Sequence, residues 1–141
     1  MTETPTPATP RRSLWGYLND RAGRAEYWFS IGLIFALGIG LSFIPALSGA
    51  GTGLTVVLMF AQIRRVHDFG RSGWWAALAT FAPMIAMFPL MAVASVDVAF
   101  IFGLLVEFAL IIAIGAIPGD PGDNRFGPPA PFTWKRTLTG R

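Results

Sequence analysis

Arg64-Arg65-Val66-His67-Asp68-Phe69-Gly70-Arg71-Ser72-Gly73-Trp74-Trp75 is a charged, glycine-punctuated stretch set between two long apolar runs. It holds the single His of the chain, three of the eleven basic residues and two of the five Trp. It reads as a short loop. On its N-terminal side lie a tail and an apolar hairpin, and on its C-terminal side a second apolar hairpin and a second tail. This arrangement specifies an all-α polytopic membrane protein, a four-transmembrane-helix bundle in two hairpins.

Composition agrees with that class. Of 141 residues, 53% are hydrophobic and 13% charged, against about a quarter charged in an ordinary soluble domain. The length fits one unit rather than two domains. No Cys is present, which excludes a disulfide framework, a thiolate nucleophile and a Cys-ligated metal. The net charge of +3 does not argue for nucleic acid, because the placement of the charges matters more than their sum.

The spans follow from the apolar runs. Residues 1–12 read as a disordered tail, and Met1 to Pro10 lack the apolar core of a cleaved secretory signal. Ser13 caps a short helix through Leu18, with Leu14, Trp15 and Leu18 on one side, suited to the membrane interface. Residues 27–44 form the first span, anchored by Tyr27 and Trp28; roughly 18 residues cross about 30 Å of hydrocarbon. Its Gly32, Ala36 and Gly40 make a small-xxx-small face that lets a neighbouring helix approach. Pro45 stops it. The second span covers about 46–63, the third 74–96 with bends at Pro83 and Pro89, and the fourth 98–117, with Asp97 marking the turn between the last two. Pro118-Gly119-Asp120-Pro121-Gly122 ends the membrane domain's helices. That domain extends over 13–130, and residues 131–141 form a C-terminal tail.

Charge fixes the orientation. All Lys and Arg lie in the N-terminal region, the central stretch or the C-terminal tail, and the other two loops hold none. The positive-inside rule therefore places both termini and the central stretch in the cytoplasm of a bacterial inner membrane.

Two constellations are candidates for function. The first gathers Arg21, Arg24, Glu26, Arg64, Arg65, His67, Asp68, Arg71, Trp74, Trp75, Asn124 and Arg125 at one membrane face. Guanidinium forks suit phosphate, and acidic lipid head groups lie at this level. Ten of the eleven basic residues are Arg, although Lys would serve orientation equally well. The bland alternative is that the arginines pair with Glu26, Asp68 and Asp120 and close the bundle. His67-Asp68 does not make a catalytic pair by adjacency alone, since neighbouring residues point in different directions. Asp68, Asp120 and Asp123 are carboxylates that with waters can hold Mg²⁺, but the residues do not specify a metal site, and no cofactor is expected.

The second constellation is Glu107, about ten residues from the cytoplasmic end of the fourth span and ~15 Å deep. Such a residue faces the bundle interior. No Lys or Arg lies at that depth, so a protonated carboxyl hydrogen-bonded to Thr55 is expected, with Thr80 the other hydroxyl near it.

Three motifs carry a resemblance. They are Arg21-x-x-Arg24-x-Glu26-Tyr27-Trp28, the Arg64 to Trp75 stretch, and Gly119-x-x-Gly122-x-Asn124-Arg125-Phe126-Gly127-Pro128. In this order, over roughly Ser13 to Ala130, they resemble domain of unknown function 805, a family of small bacterial inner-membrane proteins with about four helices. Leu18, Asp20, Phe126 and Pro129 depart from the usual family residues. The resemblance implies fold and location and supplies no activity. The expected function is that of a non-enzymatic accessory or assembly protein whose cytoplasmic face binds membrane lipids or a protein partner, or a second copy in a homo-oligomer. The alternatives are a small oligomeric transporter or channel using Glu107, and a membrane enzyme acting on phosphorylated lipid.

Overall fold

A computed structural model describes residues 13–47 and 49–129. The two expected tails and the final residue of the expected membrane domain lie outside them. The described chain is all-helical: α1 (Leu14–Leu18), α2 (Arg24–Ser42), a 3₁₀ turn (Pro45–Leu47), α3 (Ala50–Asp68), α4 (Trp74–Met91) and α5 (Val96–Ala116).

Local chemistry sets the helix ends. The Ser13 hydroxyl accepts from the Gly16 N–H at 3.2 Å and starts α1. Ser95 caps α5 in the same way, accepting from the Val98 N–H at 3.3 Å. Asp97, read from sequence as a turn marker, instead stands in the first turn of α5, where a carboxylate complements the helix dipole. α4 runs through Pro83 and Pro89 and ends at Met91. Pro45 opens a 3₁₀ turn, so the helix expected from about residue 46 begins at Ala50. At its other end α3 continues through Asp68. The central stretch is thus helical up to Asp68, and only 69–73 form the connection. The charges that suggested a loop are held in the last turns of α3 by partners elsewhere in the chain.

α2 packs on α3, α3 on α4, α4 on α5 and α5 back on α2, with α3 also touching α5 and α1. Three of these helices, α2, α4 and α5, are long and apolar enough to cross a membrane. α3 is as long as α2 at 19 residues, but its last two turns carry Gln62, Arg64, Arg65, His67 and Asp68, all buried.

Packing is uneven along the bundle. The main buried apolar cluster, Tyr27, Ile31, Val66, Ala76, Ala79, Ile111 and Ile114, lies at the end where α2 and α4 begin and α3 and α5 finish. Toward the other end large apolar side chains such as Ile39, Phe43, Ile85, Phe88 and Ile101 are exposed. On a soluble monomer such a surface signals a missing partner; on helices long and apolar enough to cross a membrane it is the surface that hydrocarbon would cover. A cavity of about 610 Å³ opens in this half, lined by all four long helices and by Glu107. Gly32, Ala36 and Gly40 are exposed, and a Cβ at Gly32 or Gly40 would meet nothing within 4 Å among the described residues. The close approach of α2 and α3 occurs instead at Gly38, opposite Leu54.

Candidate functional site

The first constellation divides into a buried knot and an exposed rim. Arg21, Glu26, Arg64, Arg65, His67 and Asp68 are each at most 6% exposed. Arg24, Arg71, Arg125, Trp74 and Trp75 are exposed, and Asn124 is half-buried.

The knot is built where three segments meet the C-terminal end of α3. All five N–H donors of Arg21 are used. Nε donates to Asp68 Oδ1 at 3.1 Å, Nη1 to the carbonyls of Gly122 and Gly127 at 2.8 and 2.9 Å, and Nη2 to those of Asp68 and Asp120 at 3.1 and 2.6 Å. Arg65 shares Asp68, donating from Nη1 to Oδ2. Its Nε donates to the Ile114 carbonyl at 3.2 Å and its Nη2 to that of Ile117. These are carbonyls that the end of α5 leaves without intrahelical partners. α5 has no basic residue in its own last turn, so Arg65 caps it from α3. Arg64 pairs with Glu26 at 2.7 Å, donates to the Tyr17 hydroxyl at 3.0 Å and lies over the Tyr17 ring, 4.2 Å from its centroid.

Three buried guanidiniums thus face two carboxylates, and carbonyl dipoles solvate the excess positive charge. Burying an ion costs several kcal/mol unless it is paired and hydrogen-bonded, and here nearly every donor has an acceptor. Asp68 and Glu26 are occupied by arginines.

His67 and Asp68 point apart. The His67 ring stacks on Phe126 at 3.7 Å and 9°, and burial first of all pushes its pKa below the usual value, favouring the neutral imidazole. Asn124 ties the segment after α5 to the knot, donating to the His67 carbonyl at 3.0 Å and to Asp120 Oδ2 at 2.9 Å. Two glycines make this closeness possible. Gly70 has φ +71°, and any Cβ on Gly119 would overlap the Asp68 carboxylate.

Two further buried polar side chains at this end of the bundle stand outside the sequence-derived candidate set. Gln62 is fully buried, its Oε1 accepting from the Thr80 hydroxyl at 3.1 Å. The Tyr27 hydroxyl donates to the Ile111 carbonyl at 3.1 Å. Backbone carbonyls, which do much of the binding here, are the same in every residue.

Glu107 is half-buried near the middle of α5 and lines the large cavity with Thr55 and Thr80. The expected hydrogen bond from Thr55 is not formed. That hydroxyl donates to the Gly51 carbonyl of its own helix at 3.2 Å, an acceptor always within reach of a helical Thr.

Comparison with known proteins agrees with this architecture of motifs. The family described as "Protein of unknown function (DUF805)" matches residues 17–128, which include the knot, the rim and all four long helices. The chain is 31% identical over 121 residues to the inner membrane protein YhaH of Escherichia coli K12, covering 77% of this chain and 82% of that protein. It is also 31% identical over 123 residues to the uncharacterized protein YiiR of the same organism, covering 76% and 81% respectively. No solved structure matches. With matched segments that include every residue of the buried knot, the chain belongs to the DUF805 family of proteins of unknown function.

Proposed function

We propose that this is an inner-membrane protein that crosses the bilayer four times, with its charged end in the cytoplasm, and that it binds anionic phospholipid at that end as a non-enzymatic accessory or assembly protein. The observation that carries the reading is a groove of about 640 Å³ between the end of α3, α4 and α5. Its floor is apolar, including Leu78, Ala79, Ala82, Leu110 and Ile114, and Arg71 and Trp75 line its charged end. Both are exposed, and Arg71 makes no ion pair among the described residues. An acyl chain fits the floor, and a phosphate fits the guanidinium fork beside an interfacial Trp.

Other features support the rest of the reading. The exposed Arg24, Arg71 and Arg125 stand at the same end as the knot, as the positive-inside rule requires of a cytoplasmic face. α3, at about 1.5 Å per residue, is long enough to be the fourth span, with its polar side chains sheltered in the knot. Binding is favoured over catalysis because Asp68 and Glu26 are already paired with arginines, leaving the central stretch without a free acid to act as a base.

Native mass spectrometry from nanodiscs of mixed phosphatidylglycerol and phosphatidylcholine tests the proposal. The wild type should retain the anionic lipid preferentially, and Arg71→Gln should weaken that preference about fivefold, the effect of ~1 kcal/mol per interfacial charge. Equal retention of the two lipids by the wild type, or an unchanged preference in the variant, would reject it.

A further inference from the structure

The half of the bundle away from the knot holds a polar group that neither the knot nor the groove uses. Glu107 lines the open cavity of about 610 Å³ between α2, α3, α4 and α5, a volume within the range of about 300–1,000 Å³ common for small-molecule sites. Its other polar lining groups are the hydroxyls of Ser42, Thr55 and Thr80. Each of these has its hydrogen engaged. Ser42 donates to the Ile39 carbonyl at 2.7 Å, Thr55 to that of Gly51 at 3.2 Å, and Thr80 is within 3.1 Å of Gln62 Oε1 and 3.0 Å of the Ala76 carbonyl. A hydroxyl has one hydrogen and two lone pairs, so toward the cavity these groups can only accept.

Among the described residues, no Lys, Arg or His lines the cavity. The remainder of the wall is apolar, with Phe35 of α2 stacked on Phe108 of α5 at 5.6 Å. We propose that this cavity is a binding site for a lipophilic primary amine, its ammonium group on Glu107 and its hydrocarbon body against the apolar wall. Three N–H donors on the ligand match an acceptor-lined site. The ligand also brings the counter-charge that the protein lacks at this depth, so the complex is neutral and the cost of a carboxylate in a low-dielectric site is offset. A neutral alcohol of the same chain length supplies neither the charge nor the three donors. The site is reached from the hydrocarbon side, because the exposed apolar flanks of α2, α4 and α5 border it.

The full chain in zwitterionic phosphatidylcholine nanodiscs is exposed to tetradecylamine or to tetradecanol, and adducts are read by native mass spectrometry. The wild type should hold one amine per chain at least about tenfold more tightly than the alcohol. Glu107→Gln should abolish that preference, and Glu107→Asp should keep it. Equal retention of amine and alcohol by the wild type overturns the proposal without need of any variant. So does undiminished amine binding by Glu107→Gln.

Discussion

Replacing Asp68 tests whether the knot holds the bundle together. Its carboxylate is the shared acceptor of Arg21 and Arg65, both with no measurable exposure. Asp68→Ala leaves two guanidiniums buried with the Glu26 carboxylate already committed to Arg64. Removing one partner of a buried pair costs about 3–5 kcal/mol, chiefly because the remaining charge is stranded. Carbonyl acceptors around Arg21 and Arg65 persist in the variant, so the lower half of that range, about 3 kcal/mol, is expected. For a chain of this size 1 kcal/mol corresponds to roughly 3 °C in Tm, giving a loss of about 10 °C. Intrinsic tryptophan fluorescence during heating in a mild detergent reads it, because Trp28 packs against α5 beside Gly115. Asp123→Ala, at an exposed position, serves as the control and should stay within about 0.5 kcal/mol of wild type. A double-mutant cycle of Arg65→Met with Asp68→Leu should be strongly non-additive, since the pair removed together leaves less stranded charge. A Tm for Asp68→Ala within about 2 °C of wild type, or strict additivity in the cycle, would refute the idea that the ion network stabilises this end of the bundle.

Gly119→Ala should be nearly as damaging as Asp68→Ala, because its Cβ would occupy the space of the Asp68 carboxylate; the same thermal scan checks it, and a Tm equal to wild type would show that the 118–128 segment is free to move away. Stability should also fall on mild acidification. The folded-state pKa of His67 is depressed, mainly by burial, so its contribution is fully present above the unfolded value of about 6.5 and is lost as pH falls through the lower folded value. Tm should therefore drop between pH 7.5 and pH 5.5 in wild type and drop less in His67→Gln, and parallel pH profiles would contradict the assignment.

Much of this architecture is visible in the residues alone. The positions of the long helices follow from apolar runs, and two of their ends from Pro45 and Pro118, because in a bilayer the backbone must satisfy its own hydrogen bonds and local sequence reports that directly. The clustering of Arg at one end is equally local, a matter of counting along the chain. What the arginines do is not local. Arg64 and Arg71 are the same residue type a few positions apart, yet one is buried on Glu26 and Tyr17 and the other is exposed beside a groove. The difference lies in which helix face meets another segment.

Thr55 failed to reach Glu107 for a related reason. Matching two residues by depth ignores the helix carbonyl that every buried or half-exposed Thr finds nearby. The Gly32, Ala36 and Gly40 spacing likewise shows only that close packing is possible, and the rotation of α2 leaves that face exposed among the described residues.

By itself, then, the sequence determined a helical membrane protein with its cationic residues gathered at one end, because hydropathy and charge placement act over a few residues at a time. Tertiary structure alone decided that three of those arginines are internal ligands for Asp68, Glu26 and carbonyls between 114 and 127, that α3 remains helical to Asp68, and that Glu107 opens on a cavity of acceptors. Each of those outcomes depends on backbone carbonyls and helix rotations, which have no residue-type signature and are set only when the helices pack.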